Sequence, residues 1–156
     1  MTKATTNPEP SLRARALAYL ARREYSLKEL RHKLLGFATE DDDLDALLQD
    51  FKQRGWLSDE RFAEQVVHAR QGRYGSLKVA HELREKGVAD SLVDQATAAL
   101  DDMQNARHVW QKKYGKLPAS REEWAKQARF LQSRGFGFDV IKRVLNSAPD
   151  DDTSDI

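Results

Sequence analysis

The stretch that decides the fold is KQRGWLSDERFAEQ, which spans residues 52–65. A base, a glycine and an apolar residue, Arg54-Gly55-Trp56, stand at its centre, and Ser58 follows shortly afterwards. Glycine commonly follows the last residue of a helix because it adopts a positive φ at no steric cost, whereas serine is a favoured N-cap. The stretch therefore predicts that one helix ends at Gly55 and that another begins at Ser58.

The same base–glycine–apolar pattern occurs twice more, at residues 86–88 and 134–136, and each copy predicts a further helix end. Residues 26–29 and 120–123 have the Ser-x-x-Glu spacing of a capping box, which marks a helix start. Between residues 12 and 145 the apolar residues recur at helical spacing, and the alternation typical of strands is missing. We therefore predict an all-α protein of nine helices.

Three tyrosines set the order of these helices. Tyr25, Tyr74 and Tyr114 each stand near a predicted helix end, which defines a unit of helix, tyrosine, helix, glycine, helix. In the first unit the glycine is Gly36, which follows a shorter helix and lacks the preceding base, so the register of that unit departs from the other two. Such units predict three tandem three-helix repeats stacked as an extended array. The predicted repeats cover residues 11–56, 57–101 and 102–148, and the predicted disordered segments are 1–10 and 149–156.

The large aromatic side chains are expected to lie mostly in the core, because they fall on apolar helix faces or directly after a helix-ending glycine. Stacking on nucleic-acid bases is the alternative for each of them. They are Trp56, Phe62, Trp110, Trp124 and Phe136.

The sequence offers no support for catalysis. The four histidines lie in different predicted helices without the spacing of metal ligands. The eight glycines occur singly rather than in a phosphate-binding loop, and without cysteine neither a disulfide nor a thiolate metal site can form. Residues 41–43 are three aspartates that fit a helix cap better than a calcium loop. We expect no enzymatic activity, no cofactor and no metal.

Composition also bears on the compartment. No apolar run approaches the roughly 20 residues that a membrane span needs, and the first eleven residues lack the apolar core of a secretory signal. The charges nearly balance, with 26 bases and 25 acids. We expect a soluble cytoplasmic protein.

The charges are nevertheless segregated along the chain. Residues 11–36, 51–88 and 105–143 are basic, and the segments between them are acidic. Lys78, Glu82 and Lys86 have the i, i+4 spacing of a self-paired helix face. Other bases lack such partners, and their recurrence predicts an anionic partner, either a nucleic-acid backbone or an acidic protein surface.

Arg70, Arg73 and Tyr74 are the clearest example, because they gather at the end of the fourth predicted helix with no acid nearby. The candidate partner-binding or DNA-binding residues are Arg70, Arg73, Tyr74, Lys78, Arg84, Lys86, Lys126, Arg129, Arg134, Lys142 and Arg143.

An ordered series of motifs resembles the bacterial RecX regulatory proteins. The motifs are GWLSDERFAEQVVHAR (55–70), RYGSLKVAHELREKGV (73–88), KYGK (113–116) and ARFLQSRGFGFDVIKRVL (128–145). SLKELRHKLLGF (26–37) is similar to the less strict opening segment of the family. The resemblance covers residues 12 to 146, and the order of the motifs is more specific than any single motif.

The resemblance implies three three-helix repeats in an extended, curved array, without enzymatic activity. It also implies regulation, mainly negative, of RecA, the recombinase that forms helical filaments on single-stranded DNA. RecX proteins bind in the groove of the RecA–DNA filament and suppress its ATP hydrolysis and strand exchange, which affects DNA repair, recombination and the SOS response. The expected partners are the RecA filament, single-stranded DNA and, as a further candidate, double-stranded DNA. The protein itself is expected to be a monomer.

Two other functions stay open on the residues alone. One is a helical DNA-binding module that acts independently of RecA, and the other is a structural adaptor that binds no DNA. The salt dependence of DNA binding would separate them, since each phosphate contact steepens that dependence.

Overall fold

The computed structural model describes residues 8–146. Of the segments expected to be disordered, only residues 8–10 fall within this range; residues 1–7 and 149–156 lie outside it. Residues 8–10 have no regular secondary structure. Nine α-helices and no strand occur within the described range, which confirms the predicted all-α fold. The helices are α1 (Leu12–Arg22), α2 (Leu27–Leu35), α3 (Leu44–Gln53), α4 (Asp59–Arg70), α5 (Ser76–Glu85), α6 (Asp90–Thr97), α7 (Asp102–Lys113), α8 (Arg121–Ser133) and α9 (Phe138–Asn146).

Three of the helix starts carry the predicted serine caps. At the start of α4 the hydroxyl of Ser58 accepts from the N–H of Arg61 at 3.2 Å, and the other two caps were predicted as capping boxes. Ser26 and Glu29 form a complete capping box: the hydroxyl of Ser26 accepts from the N–H of Glu29 at 3.1 Å, and the Glu29 carboxylate accepts from the N–H of Ser26 at 3.2 Å. The second box is half formed. Ser120 accepts from the N–H of Glu123 at 3.1 Å, but the Glu123 carboxylate accepts from the N–H of Ala119 at 2.7 Å.

Three glycines end their helices in the same way, as the sequence predicts. Gly55, Gly87 and Gly135 follow α3, α5 and α8 with φ values of 76°, 80° and 92°. In each case the next residue donates its N–H to the carbonyl oxygen five positions back, as Phe136 does to Leu131 at 3.2 Å. This pattern is the Schellman motif, which satisfies carbonyl groups left free at a helix end. In contrast, the residue that follows α2, Gly36, has a φ of −69°.

Trp56 is an exception to the predicted aromatic core, because its side chain is 41% exposed. After the turn at Gly55, the side chain of Leu57 is buried in the core, whereas that of Trp56 is not. Trp56 packs edge-on against Phe51 with ring centroids 5.4 Å apart. The other aromatic residues expected in the core are buried or partly buried: Phe62, Trp110, Trp124 and Phe136.

The described residues form two compact units, divided between Phe62 and Ala63, each with its own core. The core of the first unit draws apolar side chains from α1, α2 and α3 and includes Leu30 and Phe51, both fully buried. The second unit contains a core cluster from α7, α8 and α9 that includes Leu131 and Phe136. The boundaries of the three sequence repeats stay a prediction.

Candidate functional site

The end of α8 meets the start of α5 through backbone contacts in the second unit. The N–H of Gly75 donates to the carbonyl oxygen of Arg134 at 2.8 Å, and the N–H of Leu77 donates to that of Gly135 at 3.1 Å. A Cβ on Gly75 would collide with the carbonyl group of Gly135, and a Cβ on Gly135 would collide with α5. The two glycines therefore allow an approach that brings Arg134 to the turn carrying Tyr74.

Asp102, the first residue of α7, also holds the start of α5. Its carboxylate accepts hydrogen bonds from the backbone N–H of Ser76, at 3.0 Å, and from the Ser76 hydroxyl. In the first unit Asp59, at the start of α4, accepts similarly from the N–H of Leu27 at 2.8 Å. Unpaired N–H groups at a helix start favour a carboxylate, so each aspartate fixes the helix that follows a tyrosine.

Three cations surround the ring of Tyr74. The Nζ of Lys78 lies 4.7 Å from the ring centroid, and the guanidinium carbons of Arg134 and Arg70 lie 5.6 and 5.9 Å from it. These distances are within the range of cation–π attraction. The half-buried ring thus gathers cations from α4, from α5 and from the residue after α8.

Phe130 extends this arrangement along α8. The guanidinium carbon of Arg134 lies 5.2 Å from its ring centroid and the Nζ of Lys113 lies 5.7 Å from it, while Tyr114 packs edge-on at 5.6 Å. We name these residues the Tyr74–Phe130 cluster: Arg70, Tyr74, Lys78, Lys113, Tyr114, Phe130 and Arg134.

The prediction that Arg70 has no acid nearby is wrong. Its Nε and Nη2 donate to the two carboxylate oxygens of Glu82 at 3.0 and 2.8 Å. This hydrogen bonding raises the pKa of Arg70 above its ordinary value. Glu82 is twelve residues away and lies on α5, so the packing of helices, not the local sequence, brings the pair together.

Lys78 also departs from its predicted pairing with Glu82. Within residues 8–146 it forms no ion pair with that carboxylate; its Nζ donates to the carbonyl oxygen of Ser133 at 3.4 Å and lies over Tyr74. The cluster holds four cations, and between residues 8 and 146 only one of them, Arg70, forms an ion pair, with Glu82. Its overall charge is positive.

Four of the eleven candidate residues meet in this cluster, namely Arg70, Tyr74, Lys78 and Arg134. Of the others, Arg84 pairs with Asp90 at 3.2 Å, and the Nζ of Lys142 lies 5.4 Å from the ring centroid of Phe138. Arg73 is exposed and forms no ion pair with any residue between 8 and 146. The remaining candidates are exposed or half-buried on or just after their helices: Lys86, Lys126, Arg129 and Arg143.

Lys113, Tyr114 and Phe130 belong to the cluster but are missing from the candidates drawn from the sequence. Lys113-Tyr114 at the end of α7 repeats the base–tyrosine pair Arg73-Tyr74 that follows α4, which is a usable signal. Phe130 carries no comparable signal, because the packing of α7 against α8 places it beside Lys113.

Two exposed apolar side chains border the contact between α5 and the turn after α8. Leu77 is 62% exposed and Phe138 is 64% exposed. Leu77 lies beside Gly137, whereas Phe138 packs edge-on against Trp124 with ring centroids 6.4 Å apart. Two such residues beside a cationic cluster form a surface suited to a protein that offers apolar and acidic groups.

The chemistry that this surface supports is the non-covalent binding of anions, since it presents ammonium and guanidinium groups held by aromatic rings. In the described part of the chain no group of three or more histidine, aspartate or glutamate residues is placed to hold a metal ion. None of the helices described is both long and apolar enough to span a bilayer.

These features define an all-α protein of tandem three-helix units with a basic, aromatic surface. Residues 58–96 match the family model of the second three-helix domain of RecX, and residues 101–145 match that of the third. The chain belongs to the RecX family of regulatory proteins, which confirms the resemblance noted in its motifs.

Relatives named "Regulatory protein RecX" align over almost the whole chain. The protein from Chromobacterium violaceum is 44% identical over 142 residues, which cover 91% of this chain and 93% of the relative. The protein from Leptothrix cholodnii is 42% identical over 150 residues, covering 93% and 94%. That from Neisseria meningitidis is 35% identical over 153 residues, covering 95% and 97%.

Solved structures show the same fold at lower sequence identity. The crystal structure of RecX from Lactobacillus salivarius superposes with a TM-score of 0.75 at 20% identity, covering 86% of this chain and 92% of that one. A second crystal structure of a regulatory protein RecX gives a TM-score of 0.76 at 20% identity, covering 87% and 70%.

Proposed function

We propose that this protein is a regulator, mainly negative, of the RecA recombinase. It binds in the groove of the RecA–DNA filament and suppresses ATP hydrolysis and strand exchange, thereby acting on DNA repair, recombination and the SOS response. Membership in the RecX family supports the proposal, and the observation that carries it is the Tyr74–Phe130 cluster, whose residues all lie within the two segments matched by RecX domain models. The protein acts as a monomer in the cytoplasm.

The cluster acts as the basic face that meets acidic groups of the filament or DNA phosphates. Lys78 and Lys113 are exposed at its surface, and aromatic rings limit the positions of their ammonium groups. A group held in place loses less conformational entropy on binding than a free lysine does. Further bases outside the cluster add weaker contacts, and several contacts to successive RecA subunits give avidity. Such bridging holds the filament in a state that does not cycle ATP productively.

The exposure of Leu77 and Phe138 favours a protein partner over DNA alone. Phosphate groups gain nothing from an exposed apolar side chain, whereas an apolar contact surrounded by charges is typical of protein interfaces. Three of the candidate residues outside the cluster, Arg73, Lys126 and Arg129, are exposed and can make additional contacts.

The direct test is the DNA-dependent ATPase of RecA on circular single-stranded DNA, measured with increasing amounts of this protein while filament length is followed by electron microscopy. We expect ATP hydrolysis to fall at or below stoichiometric amounts of the protein, together with a change in filament length or stability. Unchanged hydrolysis at a stoichiometric amount contradicts the proposal.

A charge-reversal variant tests the cluster itself. Lys78→Glu with Lys113→Glu should raise the amount needed for half-inhibition by roughly an order of magnitude, because two oriented cations become anions. Lys52→Glu with Lys116→Glu makes the same change in net charge at exposed positions outside the cluster and is the control. Equal effects of the two variants would show that net charge, rather than the cluster, governs binding.

A DNA-binding module that acts without RecA is the second candidate, because the same cations suit phosphate groups. This candidate predicts tight binding to DNA in the absence of RecA. It also predicts that a plot of log affinity against log salt concentration has a negative slope of roughly one unit for each phosphate contacted. Steep, tight binding with no effect on RecA would favour this candidate.

A further inference from the structure

Trp56 is an exposed aromatic side chain in a cationic setting within the first unit. The guanidinium carbons of Arg54 and Arg13 lie 5.1 and 5.6 Å from its ring centroid, and Phe51 supports the indole edge-on from the core. This environment differs from that of a core residue, and 41% of the side chain stays accessible.

The two arginines do not cover the indole as a flat stack would. A flat stack occurs elsewhere in the same unit, where the guanidinium carbon of Arg23 lies 3.5 Å from the ring centroid of Tyr25, a residue that is buried. At Trp56 the guanidinium carbons are 5.1 and 5.6 Å from the ring centroid, so they are not in close contact with the ring, and the residue stays 41% exposed. Aromatic surface and cations are therefore presented side by side.

Asp50 fixes the positions of both arginines. The Nε of Arg54 donates to its carboxylate oxygens at 3.0 and 3.1 Å, and the Nη1 of Arg13 donates to it at 3.1 Å. Hydrogen bonding from Arg54 and then from Arg13 lowers the pKa of Asp50, so the carboxylate is charged at neutral pH. The two Nη groups of Arg54 form no hydrogen bond with residues 8–146 and keep their donors for a ligand.

An exposed indole beside oriented guanidinium groups matches the two parts of a nucleotide in a single strand. A base stacks on an aromatic face, and a phosphate accepts charge-assisted hydrogen bonds from an arginine. In a duplex the bases are stacked on one another and unavailable to the ring. The accessible neighbours of Trp56 are charged, and they carry a net positive charge, which favours a nucleotide over an apolar protein segment.

We propose that Trp56, Arg13 and Arg54 bind one nucleotide of single-stranded DNA, with the base stacked on the indole and the adjacent phosphate bound by the guanidinium groups. The site consists of residues outside both segments matched by RecX domain models. It deepens the proposed function by naming a contact to DNA, and it rests on that function for the choice of DNA over RNA.

The test uses the full chain without RecA and measures binding by fluorescence anisotropy. One labelled probe is a 15-nucleotide oligo-dT, and the other is an abasic strand with the same number of phosphates. Trp56→Ala should bind oligo-dT about tenfold more weakly and the abasic strand with unchanged affinity, since the base supplies the stacking energy. Trp56→Phe should retain most of the affinity for oligo-dT, and Arg54→Ala should weaken binding to both probes.

Lys52→Ala is the matched control, because it removes an exposed base near the same helix end and should change either affinity less than twofold. Thermal unfolding of each variant verifies the fold. Wild-type affinity of a folded Trp56→Ala variant for oligo-dT overturns the proposal, and so does an equal loss on both probes, which would indicate a structural effect. Normal oligo-dT binding combined with weaker inhibition of RecA would assign Trp56 to a protein contact and also overturn it. Because the binding assay lacks RecA, its outcome is independent of the ATPase test.

Discussion

Gly75 and Gly135 approach each other so closely that neither position has room for a side chain. The N–H of Gly75 donates to the carbonyl oxygen of Arg134, so the negative end of α8 meets the positive end of α5. This contact sets Arg134 against Tyr74. The geometry of the Tyr74–Phe130 cluster thus depends on two residues that contribute no charge to it.

Substitution of Gly135 by alanine should destabilise the fold by more than the same change at Gly55. Both residues have a positive φ, which costs an alanine about 1 kcal/mol. A Cβ at Gly55 meets nothing within 4 Å, whereas a Cβ at Gly135 would collide with the backbone and Cβ of Lys78, and overpacking adds roughly 1–3 kcal/mol. Urea unfolding of both variants measures the difference, and equal losses would contradict a tight contact at Gly135.

Exchange of the charges of Arg70 and Glu82 should distinguish the contribution of this ion pair to stability from the contribution of Arg70 to the inhibition of RecA. Glu82→Gln removes the partner of the guanidinium and should cost about 0.5–1 kcal/mol, as expected for a partly exposed pair. The double variant Arg70→Glu with Glu82→Arg should recover much of that stability while leaving the inhibition of RecA impaired, because the cation has moved away from Tyr74. Full recovery of inhibition would show that Arg70 has a structural role alone.

Loss of the carboxylate at Asp102 should loosen the start of α5. Asp102→Ala leaves the N–H of Ser76 without its acceptor and should cost about 1 kcal/mol in the free energy of unfolding. Asp139→Ala removes an exposed first-turn acid of α9 and serves as the control, with an expected loss of a few tenths of a kcal/mol. Chemical denaturation measures the free energy of unfolding of both variants. A smaller loss of stability for Asp102→Ala than for Asp139→Ala would contradict a stabilising role of the Asp102 carboxylate at the start of α5.

The carboxylate of Asp50 should titrate below its ordinary pKa of 3.8 in the folded protein. Because the folded pKa is lowered, the contribution of this group to stability is present above the unfolded value and is lost as the pH falls through the folded value. Carbon-13 NMR of the side chain measures the titration directly. Arg54→Ala should shift the midpoint upward by removing the largest cause, and a midpoint that stays in place would rule out Arg54 as that cause.

The sequence by itself determined where helices begin and end, because those decisions depend on residues that are neighbours along the chain. At each helix-ending glycine with positive φ, the glycine N–H donates to the carbonyl oxygen three residues back, and the N–H of the next residue donates to the carbonyl oxygen five residues back from itself. These bonds are local, so the helix ends at Gly55, Gly87 and Gly135 can be predicted without the tertiary structure. The capping box at Ser26 is equally local. Repetition of these local signals was enough to predict tandem helical units, whereas the family was indicated by the resemblance of an ordered series of motifs.

The surroundings of a side chain are harder to predict from its neighbours along the chain. Trp56 and Leu57 are consecutive apolar residues, and the direction of the turn after Gly55 decides that Leu57 is buried and Trp56 exposed. Helical periodicity describes positions within a helix and does not extend through such a turn. A core position was therefore predicted for Trp56, whose side chain lies at the surface.

The tertiary structure alone decided which charged and aromatic residues meet in the Tyr74–Phe130 cluster. Glu82 reaches Arg70 from another helix, and Lys113 reaches Phe130 through the packing of α7 against α8. A count of bases along the chain identifies basic segments, but ion pairs and cation–π contacts require atoms within about 4–6 Å of each other. That proximity arises when apolar faces pack, so the helices of this protein can be derived from its sequence, whereas its basic, aromatic surface exists only in the folded chain.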